Sequence, residues 1–253
     1  MSNDFSYQSY VTDQQFLDEY NAYQAKYAKQ LRESDKVLIG LVREIIEQRG
    51  GDVGGRINLL DVGCSTGNLL LHLKRVLPQL ALGGCDLAES SLAECRANTD
   101  LQGVAFELLD LLSMPSRTRY DIVTINAVLY MMDDAQFEVA LRNVAASLKS
   151  GGTVIVFDFF HPYPQDLQII EKSKSHPEGL RLRFRPMAQA EAILAVAGFV
   201  NPAFRPFTLP IDLPPSGGPR DLITYTVPAA DGRKLPFRGT LFQPWCHLTA
   251  QRQ

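Results

Sequence analysis

Between residues 59 and 70 the chain reads Leu59-Leu60-Asp61-Val62-Gly63-Cys64-Ser65-Thr66-Gly67-Asn68-Leu69-Leu70. A short apolar run of the strand type comes first, two glycines follow, and an apolar pattern of the helical type begins at Asn68. Glycine lets a backbone approach a ligand closely, and the first N–H groups of a helix have no partner inside the helix. The segment is therefore typical of a buried strand that passes through a ligand-binding turn into a helix.

The rest of the chain alternates short apolar runs with helical stretches. The pattern predicts strands at 57–62, 80–85, 104–108, 120–126, 153–160 and 203–211. It predicts helices at 68–77, 89–98, 133–148 and 186–197, and the glycines of Lys149-Ser150-Gly151-Gly152 suit a helix end. Strands that alternate with helices indicate an α/β fold with a mostly parallel, doubly wound sheet. Near the C-terminus, ITYTV and LPFRGTLF flank Ala230-Asp231-Gly232-Arg233 and predict an antiparallel hairpin.

The first fifty residues follow a different pattern. QQFLDEYNAYQAKYAKQL and SDKVLIGLVREIIEQRG both repeat apolar residues at helical spacing, and Gly50-Gly51 marks a break after them. We expect an N-terminal helical cap over 1–52 and one main domain over 53–253, with a cap insert at 161–184. Five of the nine tyrosines lie in the cap segment.

Composition narrows the class of protein. The chain has 253 residues, 45% hydrophobic and 21% charged, with a net charge of −3, as in an ordinary globular protein. No apolar run is long enough for a membrane span, and the four cysteines show no metal-ligand spacing. We therefore expect a cytoplasmic protein with no metal, no membrane partner and no nucleic-acid partner. The charge is uneven: residues 161–253 hold 11 Lys/Arg against 7 Asp/Glu.

The glycine turn alone also suits nicotinamide and flavin enzymes, whose motif is G-x-G-x-x-G. Here three residues separate Gly63 from Gly67, and Asp61 precedes them. With this spacing the sequence resembles the class I S-adenosylmethionine (SAM)-dependent methyltransferases, whose strand and turn read D/E-x-G-x-G-x-G. Ser65 stands where that motif has its middle glycine. The resemblance continues through GGCDLAESSL, FELLDLL, YDIVTINAVLYMM and LKSGGTVIVFDFF, and so covers about residues 57–160. It implies a Rossmann-like, mostly parallel seven-stranded sheet with an antiparallel C-terminal hairpin.

The resemblance also implies a cofactor, SAM, with S-adenosylhomocysteine (SAH) as product. Asp86 would accept hydrogen bonds from the ribose hydroxyls, Asp110 would accept one from the adenine amino group, and Asp61 would lie near the methionine amino group. Tyr27 and Arg32, from the helical cap, would close over the methionine carboxylate, although ordinary amphipathic packing also explains the tyrosine-rich segment. The implied cofactor-binding residues are Asp61, Gly63, Cys64, Ser65, Gly67, Asp86, Leu87, Asp110, Leu111, Asn126, Tyr27 and Arg32.

The acceptor would lie beyond the fourth and fifth strands. His161 follows the fifth strand and is a candidate base, since its near-neutral pKa suits proton abstraction, and Tyr130 follows the fourth. A structural histidine and a packing tyrosine are the alternatives. In LRLRFR, the side chains of Arg181, Arg183 and Arg185 share one face of a strand, where they would clamp an anion or simply face solvent.

These observations favour an enzyme that methylates an oxygen, a nitrogen or a carboxylate of a small, anionic metabolite. An RNA or protein methyltransferase is a second reading, but the fourth strand ends in INAVLY rather than N/D-P-P-Y/F. A non-catalytic SAM-binding partner and a nicotinamide oxidoreductase are the others. The acceptor, the methylated atom and the oligomeric state stay open.

Overall fold

The computed structural model describes residues 14–50, 56–116, 118–172, 179–215 and 224–253. Its α-helices are α1 (Gln14–Gln24), α2 (Glu33–Gln48), α3 (Asn68–Val76), α4 (Glu89–Ala97), α5 (Asp134–Ser147) and α6 (Met187–Val196). Its strands are β1 (Asn58–Val62), β2 (Ala81–Asp86), β3 (Ala105–Leu108), β4 (Tyr120–Asn126), β5 (Leu148–His161), β6 (Leu167–Glu171), β7 (Leu180–Pro186), β8 (Phe199–Pro206), β9 (Thr224–Pro228), β10 (Lys234–Arg238), β11 (Leu241–Phe242) and β12 (Trp245–Arg252). Tyr7 and Tyr10 lie outside the described residues.

The main sheet has the predicted doubly wound arrangement. Seven strands follow one another in the order β3-β2-β1-β4-β5-β12-β8, and β12 runs antiparallel to both of its neighbours. β7 pairs with the end of β5, and β6 pairs with β7, so the segment 161–184 adds two strands to the sheet. A separate antiparallel sheet, β11-β10-β9, contains the hairpin predicted near the C-terminus.

Alternation along the strands divides the core into two layers. Leu60 and Val123 point to the layer that contains α5 and α6, while their neighbours Leu59 and Ile122 point to the layer that contains α2, α3 and α4. Successive side chains of a strand face opposite sides of the sheet, so a strand that is buried on both sides needs apolar residues at nearly every position. The unbroken apolar runs in the sequence are the consequence.

Hydrogen bonds tie the N-terminal helices to the main domain. On α1, Asn21 Nδ2 donates to the Glu94 carboxylate at 3.0 Å, and Asn68 Nδ2 at the start of α3 donates to the Gln24 carbonyl at 2.8 Å. His72 Nε2 lies 2.9 Å from the Tyr27 carbonyl. The segment 14–48 therefore lies across the start of α3, beside the glycine turn.

Two predicted boundaries were wrong. β8 covers 199–206 instead of 203–211, because Gly198 ends α6 with a φ of +90° and the strand begins directly after it. Lys149–Gly152 belong to β5 and not to a helix end, since α5 already stops at Ser147. Among the described residues, no helix combines the length and apolar character needed to cross a bilayer.

Two adjacent glycines of β2 allow a matched test of packing under the glycine turn. A Cβ added at Gly84 would lie 2.7 Å from Leu70 Cδ1 and 2.9 Å from Cys64 Sγ, whereas at Gly83 the nearest atom would be 3.6 Å away. We expect Gly84→Ala to lower the free energy of unfolding by about 1–3 kcal/mol, because the added carbon overpacks the core. Gly83→Ala should change it by less than about 1 kcal/mol. Urea unfolding of both variants measures this, and equal effects would contradict the packing described.

Candidate functional site

Two adjacent clefts lie at the carboxyl ends of the central strands. The wide cleft encloses about 850 Å³, including space open to solvent, and the narrow cleft encloses about 440 Å³. The chain places β2 and β3 on one side of β1 and places β4 and β5 on the other, so the strand order reverses between β1 and β4. Open α/β sheets bind ligands at such a point. The two clefts share Tyr20, Gly63, Ser65, Asn126 and Ala127.

Residues of the glycine turn after β1 line both clefts. Gly63 and Gly67 have φ values of +72° and +75°, and Ser65, at +48°, also has the left-handed conformation. A Cβ at Gly63 would lie 2.4 Å from Val128 Cγ2, which explains why a glycine is needed there. Serine can occupy the middle position because the Ser65 N–H donates to Asp86 Oδ2 at 2.8 Å and holds the strained backbone.

Carboxylates lie at the ends of the second and third strands, as predicted. Asp86 ends β2, and its two oxygens accept hydrogen bonds from the N–H groups of Ser65 and Ala88, the latter at 2.9 Å. Burial raises the pKa of Asp86, and these hydrogen bonds oppose the rise. Asp110 accepts from the Leu112 N–H at 2.8 Å. Both aspartates line the wide cleft, together with Leu87 and Leu111.

Two further carboxylates face the narrow cleft. Asp61 of β1 is 2% exposed and accepts a hydrogen bond from Thr124 Oγ1 at 2.7 Å. Burial, together with the nearby charges of Asp35 and Asp86, raises the pKa of Asp61 to about 7, although the hydrogen bond from Thr124 opposes the rise. Asp35, on the first turn of α2, accepts from Asn126 Nδ2 at 3.0 Å, and burial raises its pKa as well.

The predicted cap residues lie beside these carboxylates. Arg32 lines the narrow cleft, and its guanidinium carbon lies 4.2 Å from the centre of the Tyr27 ring. Arg32 also donates to the side-chain oxygen of Gln24. Tyr27 supports the arginine without lining either cleft, and its hydroxyl lies 2.9 Å from that of Tyr23. Cys64 lines the narrow cleft, and its thiol is buried.

The two candidate acceptor-side residues lie in different surroundings. Tyr130 lines the wide cleft and packs against Phe159 and Trp245, and burial raises the pKa of its phenol. His161 is 6% exposed, and its Nε2 lies 3.0 Å from the Phe184 carbonyl. It lies outside the described lining of both clefts. The catalytic role of each stays a prediction.

The three arginines of β7 also lie outside that lining. Arg185 is 1% exposed, donates to the carbonyls of Leu129 and Met132, and contacts the Asp134 carboxylate at 3.3 Å. Arg183 pairs with Asp166 and with Asp134. Arg181 lies on the same face of β7. The strand was correctly predicted, whereas the anion clamp stays a prediction.

Comparisons with known proteins agree with this geometry. Residues 59–152 match a family model described as a methyltransferase domain. The chain is 24% identical to a malonyl-[acyl-carrier protein] O-methyltransferase of Bacillus cereus over 142 residues, 56% of this chain and 50% of that protein. It is 35% identical to a trans-aconitate 2-methyltransferase of Methylobacterium nodulans over 98 residues, 39% of this chain and 36% of that protein. The chain thus spans about half the length of the curated relatives that it matches first.

A solved structure extends the likeness to nearly the whole fold. SAM-bound CalS10, an amino pentose methyltransferase from Micromonospora echinaspora, superposes with a TM-score of 0.57 at 18% identity, over 92% of this chain and 97% of that chain. Residues 59–152 thus match a methyltransferase domain, and the chain is similar in fold to a class I SAM-dependent methyltransferase. The predicted Rossmann-like fold is confirmed by the strand order and by this neighbour.

SAM is the cofactor of such methyltransferases, and the two clefts fit it. The wide cleft combines apolar walls for an adenosine with the carboxylates of Asp86 and Asp110. At the narrow cleft, Ser65 Oγ and Thr66 Oγ1 are buried and have no partner among the described residues, so they can bind a polar ligand. Asp61 lies on the same side, where a cationic group would offset the cost of its burial.

Sequence reasoning missed several residues of this site. The helical cap contributes Leu17, Tyr20, Gln24 and Asp35 to the clefts, and Val128 follows β4. The cap residues carry no motif, because they reach the site through the packing of α1 and α2. An acidic residue in the first turn of a helix is ordinarily explained by the helix dipole. The sequence therefore gives no reason to assign Asp35 to a binding site.

The buried Asp61 should make stability depend on pH. Its pKa rises from 3.8 to about 7 in the folded state, so folding favours the protonated form. This contribution is fully present below about pH 4 and is lost as the pH rises towards 7. Asp61→Asn still offers an oxygen to Thr124. Between pH 5 and pH 8, we expect its free energy of unfolding to rise by about 1–3 kcal/mol relative to that of the wild type.

Urea unfolding of the ligand-free protein at several pH values measures this difference. Asp18→Asn, at an exposed aspartate of α1, is the control. The difference between its free energy of unfolding and that of the wild type should be the same at every pH. A difference between Asp61→Asn and the wild type that stays constant from pH 5 to pH 8 would contradict the assignment.

Proposed function

We propose that this protein transfers a methyl group from SAM to a small, anionic acceptor. One observation carries the proposal: the two clefts share five lining residues, and buried carboxylates line the narrow cleft while Tyr130 lines the wide cleft. A cofactor bound across the two clefts would place its amino-acid part by Asp61 and its adenosine by Asp86. Its reactive centre would then lie between them, beyond the ends of β1 and β4.

SAM supplies a methyl group that the positive charge of its sulfonium already activates. The protein therefore has to align the acceptor and exclude water. Tyr130, Met131 and Met132 follow β4 and form an apolar wall of the wide cleft, and Tyr20 of the cap lies opposite the sheet. We propose that this wall orients the acceptor and that the cap covers it.

One observation supports an anionic acceptor. The names of two relatives, a malonyl-[acyl-carrier protein] O-methyltransferase and a trans-aconitate 2-methyltransferase, refer to carboxylic acids.

His161 remains our proposed base for an acceptor that must lose a proton. A carbonyl oxygen only accepts hydrogen bonds, so the contact with Phe184 requires the proton to be on Nε2. Nδ1 then carries the lone pair, and it is buried with no partner among the described residues. This tautomer has an unused acceptor, as a base requires.

Cofactor binding is tested first. We expect SAM and SAH to bind with micromolar dissociation constants, about −7 to −8 kcal/mol, as measured by calorimetry. Asp86→Asn should weaken SAH binding by about 2–3 kcal/mol, because the ribose hydroxyls lose a charged acceptor. Asp100→Asn, at an exposed aspartate, should bind normally. Absence of binding to the wild type at millimolar ligand would refute the proposed function.

Transfer is tested with methyl-labelled SAM and pools of small carboxylates, small amines, RNA and protein. We expect label in the carboxylate pool. With the acceptor so identified, His161→Ala should lower kcat by about 10²- to 10⁴-fold while SAH affinity stays unchanged. Unaltered turnover of His161→Ala would exclude the base, label in another pool would refute the proposed acceptor class, and binding without transfer would favour a non-catalytic role.

A further inference from the structure

The helical cap brings two side chains of opposite charge to the narrow cleft. Arg32 lies directly before α2 and Asp35 lies in its first turn, and both line the cleft. Asp35 is 2% exposed, so its carboxylate is almost wholly removed from water. Packing does not require a charged residue at such a position, and a buried carboxylate is costly unless it is paired.

The contacts of Asp35 leave part of its bonding capacity for a ligand. Its Oδ1 accepts one hydrogen bond, from Asn126 Nδ2 at 3.0 Å, while an ionised carboxylate can accept about four. Burial raises the pKa of Asp35, while the charge of Arg32 and the hydrogen bond from Asn126 lower it. Arg32 itself donates to Gln24 and stacks on Tyr27 rather than forming a direct ion pair with Asp35.

The sheet supplies a second carboxylate to the same cleft. Asp61 lines the cleft and accepts one hydrogen bond, from Thr124, and the charges of Asp61 and Asp35 repel each other. Two buried carboxylates that line one cleft are stabilised when a cationic group binds both of them. The narrow cleft therefore suits a cationic group that donates hydrogen bonds. The guanidinium of Arg32, in the same cleft, suits an anionic group.

We propose that Asp35 is a further residue that binds the α-ammonium group of SAM, beside Asp61 and Arg32, which the family resemblance already assigns to the amino-acid end. The helical cap thus recognises the amino-acid end of the cofactor. This inference rests on the proposed cofactor site and adds to it a residue and a selectivity. Ligands with the adenosine alone would bind the wide cleft without using the charged residues of α2.

The test compares two ligands on one variant. SAH carries the amino-acid end, and 5′-methylthioadenosine has the same adenosine and sulfur without it. Asp35→Asn keeps an oxygen for Asn126 and removes the charge. We expect it to raise the dissociation constant of SAH by about 10- to 100-fold, because a charge-assisted hydrogen bond is lost, and to leave that of 5′-methylthioadenosine unchanged. Calorimetry on the full chain measures both.

Glu33→Gln is the matched control. Glu33 lies in the same helical turn and carries the same charge, but its carboxylate pairs with Lys36 at 2.5 Å, away from the cleft. Both variants remove one negative charge from the start of α2, so a general effect of the helix dipole would appear in both. We expect Glu33→Gln to bind SAH like the wild type.

The outcomes separate the possible failures. If Asp35→Asn weakens both ligands equally, or neither, the inference is overturned. If the wild type binds neither ligand, the proposed cofactor site itself is refuted. Thermal unfolding of the ligand-free variants checks the fold, and Asp35→Ser, which keeps a polar group at the position, carries the same expectation if Asp35→Asn does not fold.

Discussion

The cleft depends on the conformation of the turn between β1 and α3. Three of its residues have positive φ, and the side chain of Asp86 holds the turn by accepting the Ser65 N–H at 2.8 Å. The N–H groups of Gly63 and Cys64 both donate to the Cys85 carbonyl, at 2.8 and 3.0 Å. Asp86 thus holds the turn in place, and its remaining lone pairs can accept hydrogen bonds from a ligand. This coupling explains why the turn accepts a serine at its middle position.

Buried carboxylates define the electrostatics of the site. Asp35, Asp61 and Asp86 come from α2, β1 and β2, and burial raises the pKa of each. Without a ligand this arrangement costs stability, because like charges repel and lose hydration. A cationic ligand reverses the balance. The carboxylates of the site therefore lower the stability of the ligand-free protein, as functional sites commonly do.

Arg185 and Asp158 support the segment after β4 that lines the wide cleft. Arg185 donates to the carbonyl of Leu129, which begins the short helix Leu129–Met131, and to that of Met132, which follows the helix. Asp158 accepts from the Tyr130 N–H at 3.0 Å. Burial raises the pKa of Asp158 to about 7, although the hydrogen bond from the Phe159 N–H and the charge of Arg185 oppose the rise. These contacts hold the wall of the wide cleft from beneath. The contacts of Arg185 therefore give this arginine of LRLRFR a structural role that needs no substrate.

Periodicity determined the strands of the main sheet, because strands that are buried on both sides leave a local apolar pattern. The family resemblance of the motifs placed Asp61, Asp86 and Asn126 at the cofactor site. The tertiary structure alone decided which residues of the helical cap reach the cleft. Asp35 and Tyr20 carry no local signal, since their positions follow from how α1 and α2 pack across the sheet. The same holds for Arg185, whose partners lie more than fifty residues away in sequence. Contacts between distant segments have no periodicity, and only the packed chain shows them.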